Sequence, residues 1–543
     1  MTNPLFAPKS FLVVDDMGEM RSAIKAMLVA LGSTQVEQAR DGLDAIQKMK
    51  QKRFDVILCD YNLGPGKDGQ QVLEEARLRH LIGVDVIFVM ITAENARGMV
   101  MGAVEYAPDS YVSKPFTKEL LEARLLKLFE RKADLAAVNK ALVAKDKPGA
   151  LREINALIAN KPRNLGELLK IKSEICIDTN LLDEAEATLK QVLAVREMPW
   201  AVFSLGKIAF LRKQFDQAET IFKQLIAQDP TFISAYDWLA KSQTAQRQFD
   251  AAENTLREAI RISPRNIPRQ HTLADLALNN GHSDVAEHAY TQAVGLAKHS
   301  VLNHPAIFAG LAKSKSVNGK HDEALKVTRD IRKSFPDQPE ATFYAASANA
   351  LVKANQGDHE GAAAALALAE QALAGLNETA HASDYALELA KTYVELGQGD
   401  KAAPILQQAI ANNHDDEAIL AQIITLCQES DLKYDAETEI RTIQQALIKT
   451  NNEGVHLIKQ GQFDAAIKLL SQAAEQMPGN KTINLNAAMA MLMYMEHRGI
   501  NREDVQTVHH YVERIQRLAP DDWRLADLNK RLRKLLTGLK SDG

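Results

Sequence analysis

The chain has 543 residues, of which 25% are charged, with a formal net charge of -5 and a pI near 6.3. That length exceeds what one hydrophobic core fills, so about three or four domains are expected unless repeats relax the count. The charge balance excludes a chain that seeks nucleic acid or anionic lipid along its whole length.

The N-terminal MTNPLFAPKS lacks a basic segment followed by an apolar core, and no long apolar run comes later, so neither secretion nor membrane spanning is indicated. Cys59, Cys176 and Cys427 stand far apart without CxxC spacing, which fits a reduced, cytoplasmic protein. Cys59 sits inside an apolar run and reads as a small buried hydrophobe.

Residues 11 to 131 alternate short apolar runs with amphipathic stretches: FLVV, then MRSAIKAMLVALG, a weak strand near TQVEQA, then LDAIQKMKQK. Strands interleaved with helices predict a parallel sheet covered on both faces. Such sheets gather ligands outside the carboxyl ends of their strands. Asp15 and Asp16 close the first strand and Asp60 closes FDVILCD, so three carboxylates converge and repel one another unless a cation joins them. Oxygen ligation of this kind suits Mg2+. Thr92 ends the run VDVIFVMIT, and Lys114 ends SYVSK just before Pro115. Carboxylates, a hydroxyl, an ammonium and a metal together serve phosphoryl transfer to a carboxylate nucleophile.

These residues, with Ala93 after Thr92 and with Tyr111, resemble a response regulator receiver domain over about residues 8 to 131. The resemblance implies a flavodoxin-like, doubly wound five-stranded parallel sheet. It makes Asp60 the phosphoacceptor, with Mg2+ on Asp16 directly, on Asp15 through water, on Asp60 and on the Asn62 carbonyl. Thr92 and Lys114 would hold the phosphoryl group, Tyr111 would be the switch aromatic, and Lys114-Pro115 would be a cis peptide. The loop DYNLGPGKDG is one residue longer than the usual receiver loop, which alters the roof over the site. Asn62 and Glu94 together are similar to the pairing in chemotaxis receivers and imply a short-lived phosphate.

The helix from Lys118 to about Lys132 continues into ADLAAVNKALVAK, with a break expected near Pro148 and Gly149. Beyond this connector the chain turns Ala- and Leu-rich, with no strand signal. Leu205-Gly206, Ala218, Phe222 and Pro230 recur 34 residues on as Leu239-Ala240, Ala252, Leu256 and Pro264. A third copy follows at Leu273-Ala274, Ala286 and Tyr290. The period resembles the tetratricopeptide repeat. Small residues at the Ala218 position let helices approach closely, and large ones at the Phe222 position fill the groove. Less regular copies are placed at Leu182 to Leu189, Leu311 to Pro336, Leu389 to Ala409 and Gly454 to Pro478, while residues 340 to 380 match the pattern poorly. The stretch from Trp523 to Lys540 reads as a basic capping helix. Adjacent residues on a helix diverge too far for His509 and His510 to share a metal. HExxH, GxxxxGK[ST] and GxSxG motifs do not occur.

The expected organisation is a receiver at 1–131, a helical connector at 132–165, an all-α repeat solenoid at 166–522 with seven to nine repeats, clearest at 199–297, and a capping helix and tail at 523–543. The resemblance implies a regulator phosphorylated on Asp60 by a histidine kinase or phosphotransfer protein, with the repeats contacting a protein target. Phosphorylation would draw Thr92 inward and Tyr111 after it, repacking the face made by the fifth strand and the helices on either side of it. A receiver homodimer is left open, and no enzymatic activity is expected beyond the receiver's own phosphorylation and dephosphorylation. Two rivals are a constitutive scaffold with the receiver as a docking module, and a nucleic-acid regulator using the basic C-terminal helix. The lack of a DNA-binding helix-turn-helix counts against the second.

Overall fold

The computed structural model describes residues 3–93, 107–160, 162, 164–376, 384–429, 432, 434–520 and 522–538. The chain packs as two compact units, one of Met1–Ser242, Asp250–Leu273 and Thr291–His304, the other of Gln243–Phe249, Ala274–Tyr290 and Pro305–Gly543.

The first unit opens on five parallel strands in the order β2-β1-β3-β4-β5. They are β1 (Ser10–Val14), β2 (Gln35–Ala39), β3 (Val56–Asp60), β4 (Ile87–Ala93) and β5 (Ser110–Lys114). β1 and β3 are buried along their whole length, because alternate residues point to opposite faces and both faces are covered. Leu12, Val14, Ile57, Cys59, Phe88 and Met90 pack on one side with α2 (Gly42–Gln51) and α3 (Gly69–Leu78). Phe11, Val13, Val56, Leu58, Val89 and Ile91 pack on the other with α1 (Gly18–Ala30) and α4 (Lys118–Asp134). The weak strand expected near TQVEQA is the edge strand β2, which is half exposed. The helix expected between β4 and β5 lies outside the described residues.

After α4 a single non-helical residue, Leu135, precedes the helix Ala136–Val143. The connector breaks at Ala144–Asp146, slightly before the expected Pro148 and Gly149. Lys145 takes a positive φ of 56°, and Pro148 is accommodated in the first turn of Lys147–Ala159, where its missing N–H costs nothing.

From Leu165 the chain is a succession of paired helices. Leu165–Asp178 pairs with Leu182–Val195 and Pro199–Leu211 with Phe215–Gln228, and Ile233–Ala245 and Phe249–Ile262 follow in the chain. Within the first unit, Ala218 and Phe222 are fully buried, as are Ala252 and Leu256, in agreement with the small-and-large pattern of the sequence. Gly206 shows why the small position matters: a Cβ there would sit 2.5 Å from Cε1 of Phe222.

The second unit repeats the device: a Cβ on Gly454 would lie 2.6 Å from Cδ2 of Leu470. Its first apolar core includes residues of Pro305–Val317, Glu340–Asn355, His359–Ala374, Asp384–Glu395 and Gly399–Asn412. The helices Glu340–Asn355 and His359–Ala374 have 16 residues each, against 13 and 14 in the clear repeat at Pro199–Gln228. That lengthening, with Ala341, Ala345, Ala346, Ala348 and Ala350 all buried, hides the repeat from a fixed 34-residue spacing. The helix Trp523–Gly538 buries Leu525, Leu528 and Leu532 against the second core of this unit, as a cap does. Among the described residues, no helix is long and apolar enough to cross a membrane.

Gly206→Ala gains helix propensity of about 1 kcal/mol but drives a methyl into the Phe222 ring, and overpacking costs about 1–3 kcal/mol. The expected outcome is a lower urea midpoint for the repeat array. An unchanged or higher midpoint would show that Phe222 repacks freely.

Candidate functional site

Register brings the site together. Val14 pairs with Cys59, Asp60 with Ile91, Thr92 with Ser113 and Ala93 with Lys114, so Asp15, Asp60, Thr92 and Lys114 all stand at the carboxyl edge of the sheet. Asp15 is wholly buried. Its Oδ1 accepts from the Met17 amide at 2.9 Å, and its Oδ2 accepts from Lys114 Nζ at 2.8 Å. Asp60, also buried, accepts from the same Nζ through Oδ2 at 2.8 Å. One ammonium therefore bridges two carboxylates. Asp16 is exposed, and a carboxylate oxygen from each of Asp15, Asp16 and Asp60 falls within 4.8 Å of the others.

The charges do not balance. Like charges 4 Å apart repel by about 4 kcal/mol at an effective dielectric constant of about 20, so the trio, with Lys114 paired to two of its members, favours a further cation. Burial raises the pKa of the Asp60 carboxyl above its ordinary value, and the bond and charge of Lys114 only partly oppose this. Burial also works against the charge on Lys114, but its bonds to Asp15 and Asp60 prevail and hold its pKa above the usual lysine value. A set of hard carboxylate oxygens, one of them open to solvent, fits Mg2+, which keeps several waters.

The remaining expected residues fall around this centre. Thr92 is buried near the end of β4. Tyr111 is half-buried on β5 beside the core face that includes Leu12 and Ile57, and burial raises the pKa of its phenol. Asn62 is exposed two residues beyond Asp60, and Glu94 lies outside the described residues. Lys114-Pro115 is a cis peptide. The long loop after Asp60 turns at Gly64, φ 72°, and Gly66, φ 115°. A Cβ on Gly64 would stand 3.2 Å from Asp16 Oδ2, so the roof comes down close to the exposed carboxylate. Cys59 is fully buried, its thiol pKa pushed well up by burial, consistent with an inert hydrophobe. His509 and His510 are exposed and join no candidate metal cluster among the described residues.

Sequence reasoning missed the residues that return the loop to the acceptor strand. The Gly69 amide donates to the Tyr61 carbonyl at 2.8 Å, and a Cβ on Gly69 would lie 2.2 Å from the Asp60 carbonyl oxygen. Only glycine allows this approach. Asp68 and Gln71 form a reciprocal capping box at the start of α3. The Asp-x-x-Gln spacing was the available signal.

Replacing Lys114 with Ala leaves Asp15 and Asp60 facing one another, a loss of about 1–3 kcal/mol for an uncompensated buried acceptor. The folded-state pKa of Asp60, already raised, rises further in that variant. A raised carboxyl pKa makes stability greatest below it and lost as pH rises through it. Lys114→Ala should therefore be destabilised at pH 7.5, with its deficit against the native chain shrinking toward pH 5 in paired urea titrations. A deficit independent of pH would show that the ammonium is not what holds the two carboxylates together.

A family model for the response regulator receiver domain matches residues 11–126. Two tetratricopeptide repeat models match residues 209–276 and residues 177–231 and 309–377, the last including a stretch that the 34-residue spacing left out. Chemotaxis protein CheY-3 from Vibrio cholerae is 37% identical over 124 residues, covering 22% of this chain and 91% of that protein. Chemotaxis protein CheY from Pseudomonas aeruginosa is 36% identical over 124 residues, covering 22% and 95%. Among solved structures, a tetratricopeptide repeat protein from Parabacteroides merdae is 15% identical and covers 48% of this chain and 98% of that one, with a TM-score of 0.32. Residues 11–126 thus belong to the response regulator receiver domain family, and the chain continues as tetratricopeptide repeats.

Proposed function

We propose that the chain is a phosphorylation-controlled adaptor, whose receiver accepts a phosphoryl group on Asp60 and whose repeats bind a protein target. The observation that carries this reading is Lys114 Nζ, 2.8 Å from both Asp15 and Asp60 at the edge of the sheet. An ammonium so placed is already aimed at the oxygens of a group transferred to Asp60. The donor is a phosphohistidine on a histidine kinase or phosphotransfer protein.

In the reaction an Asp60 carboxylate oxygen attacks phosphorus, the P–N bond to the donor imidazole breaks, and the imidazole leaves with the electron pair. Lys114 exchanges its bond to Asp60 for one to a phosphoryl oxygen, and the Thr92 hydroxyl donates to another. When bound by Asp15, Asp16, Asp60 and the Asn62 carbonyl, Mg2+ supplies charge neutralisation for the developing phosphoryl oxygens. Hydrolysis restores the carboxylate, and Asn62 near the acceptor favours a short lifetime. The new group adds about two negative charges, and Tyr111 on β5 follows Thr92. No other enzymatic activity is proposed, and the compartment is the reducing cytoplasm, consistent with three buried, unpaired cysteines. On this reading the receiver ends near residue 131 and the repeats extend from about 166 to 522.

Incubation of the native chain with radiolabelled acetyl phosphate and Mg2+ should label it, and the label should chase away within minutes rather than hours. Asp60→Asn should take up none. Capture of partners with and without beryllofluoride then separates the adaptor, whose partners change with the mimic, from a constitutive scaffold, whose partners do not. Labelling that survives Asp60→Asn would overturn the assignment of the acceptor.

A further inference from the structure

The roof of the acidic site touches the repeat array through a patch far away in sequence. Asp68 splits its carboxylate between two tasks. Oδ1 accepts from the Gln71 amide at 2.9 Å and caps α3, while Oδ2 accepts from Arg265 Nη2 at 2.8 Å, in the turn after the helix Phe249–Ile262. Gln71, the other half of the capping box, donates through Nε2 to the Leu296 carbonyl at 3.1 Å. Lys67 donates to the carbonyl of His299 and pairs with Glu75 at 2.9 Å, and Ser300 Oγ donates to Glu74 at 2.9 Å. All of these groups lie in the first compact unit.

What makes the patch consequential is its distance from the acceptor along the backbone. Gly69 follows Asp68, and its amide is bonded to the Tyr61 carbonyl while its Cα rests on the Asp60 carbonyl. One hydrogen bond and one close backbone approach therefore tie residues 68–69 to residues 60–61. Docking by Arg265 thus restrains the backbone of the acceptor itself, in the arrangement where the Asp60 carboxylate is bonded to Lys114. A phosphoryl group on Asp60 takes Lys114 for itself and adds bulk and charge beneath the roof.

We propose that Arg265, on the repeat array, is a positioning residue of the phosphorylation site: through Asp68 it holds the roof in its unphosphorylated arrangement, so that repeat docking and occupation of Asp60 oppose each other. Coupling of this kind is reciprocal. Loss of Arg265 eases occupation of Asp60, and occupation of Asp60 loosens the contact at residues 265 and 296–300. The inference rests on the phosphoacceptor reading above.

The test titrates the full-length chain with beryllofluoride and Mg2+, following the 19F resonance of the bound fluoride. Arg265→Ala should bind about three-fold more tightly than the native chain, the scale an exposed ion pair sets, while Arg265→Lys, which keeps the charge, should stay near native affinity. In parallel, beryllofluoride should speed amide hydrogen exchange over residues 294–304 of the native chain and leave Asp60→Asn unaffected. Equal or weaker binding by Arg265→Ala, or unchanged exchange in a native chain that shows the bound resonance, overturns the proposal. A native chain with no bound resonance at all overturns the phosphoacceptor reading, and this inference with it.

Discussion

Three carboxylates held at one edge of a parallel sheet are the constraint on which the receiver depends. The sheet is buried on both faces, so its strands have to be apolar almost to their ends, and polar groups can appear only where the strands stop. Parallel pairing then puts all the ends that carry Asp15, Asp60, Thr92 and Lys114 on the same side. Burial makes the resulting repulsion expensive, and Lys114 relieves it only in part. A site that is under-neutralised in its resting form is suited to taking up a divalent cation, and with it a phosphoryl group.

The repeat array obeys a different constraint. Each helix pair buries its apolar face only against its neighbours, so stability is shared along the array rather than lodged in one core. Close approach is set by small residues under large ones, as with Gly206 beneath Phe222 and Gly454 beneath Leu470. Among the described residues, many of the turns between successive helices carry one residue of positive φ. Asn180, Lys213 and Arg247 serve in the early repeats, and Gly281, Gly319, Gly357, Gly397 and Gly461 in the later ones. Glycine meets that requirement without the strain a side chain brings.

How much could be read from the sequence follows from these two constraints. Asp15, Asp60, Thr92 and Lys114 were legible because each stands at the end of a strand, where chemistry can be exposed, whereas Asn62 and Tyr111 were named only through the resemblance. The clear repeats were legible because Ala218 and Phe222 recur at a constant interval. From Glu340 the helix lengths change, and the interval fails although the packing rule does not; the glycines in the pair turns would have marked those repeats better. Gly69 was overlooked because its role is an absence, the missing Cβ that lets α3 sit on the Asp60 carbonyl. The Arg265–Asp68 pair was beyond reach, since no periodicity links a loop of the receiver to a turn of the array.

The size of that contact limits what it can do. An exposed ion pair contributes at most about 1 kcal/mol, whereas moving a two-state balance from one extreme to the other takes about 5.5 kcal/mol. Arg265 and Asp68, with side chains 47% and 19% exposed, cannot supply that alone. The bonds from Gln71 to Leu296 and from Ser300 to Glu74 add to it, each on the order of 1 kcal/mol. Coupling through this patch is therefore graded: it tilts the occupation of Asp60 by a few-fold and is tilted in return. A steeper response would have to come from a target that binds the repeats only when they are released from the roof, because only such differential binding adds its own free energy to the balance.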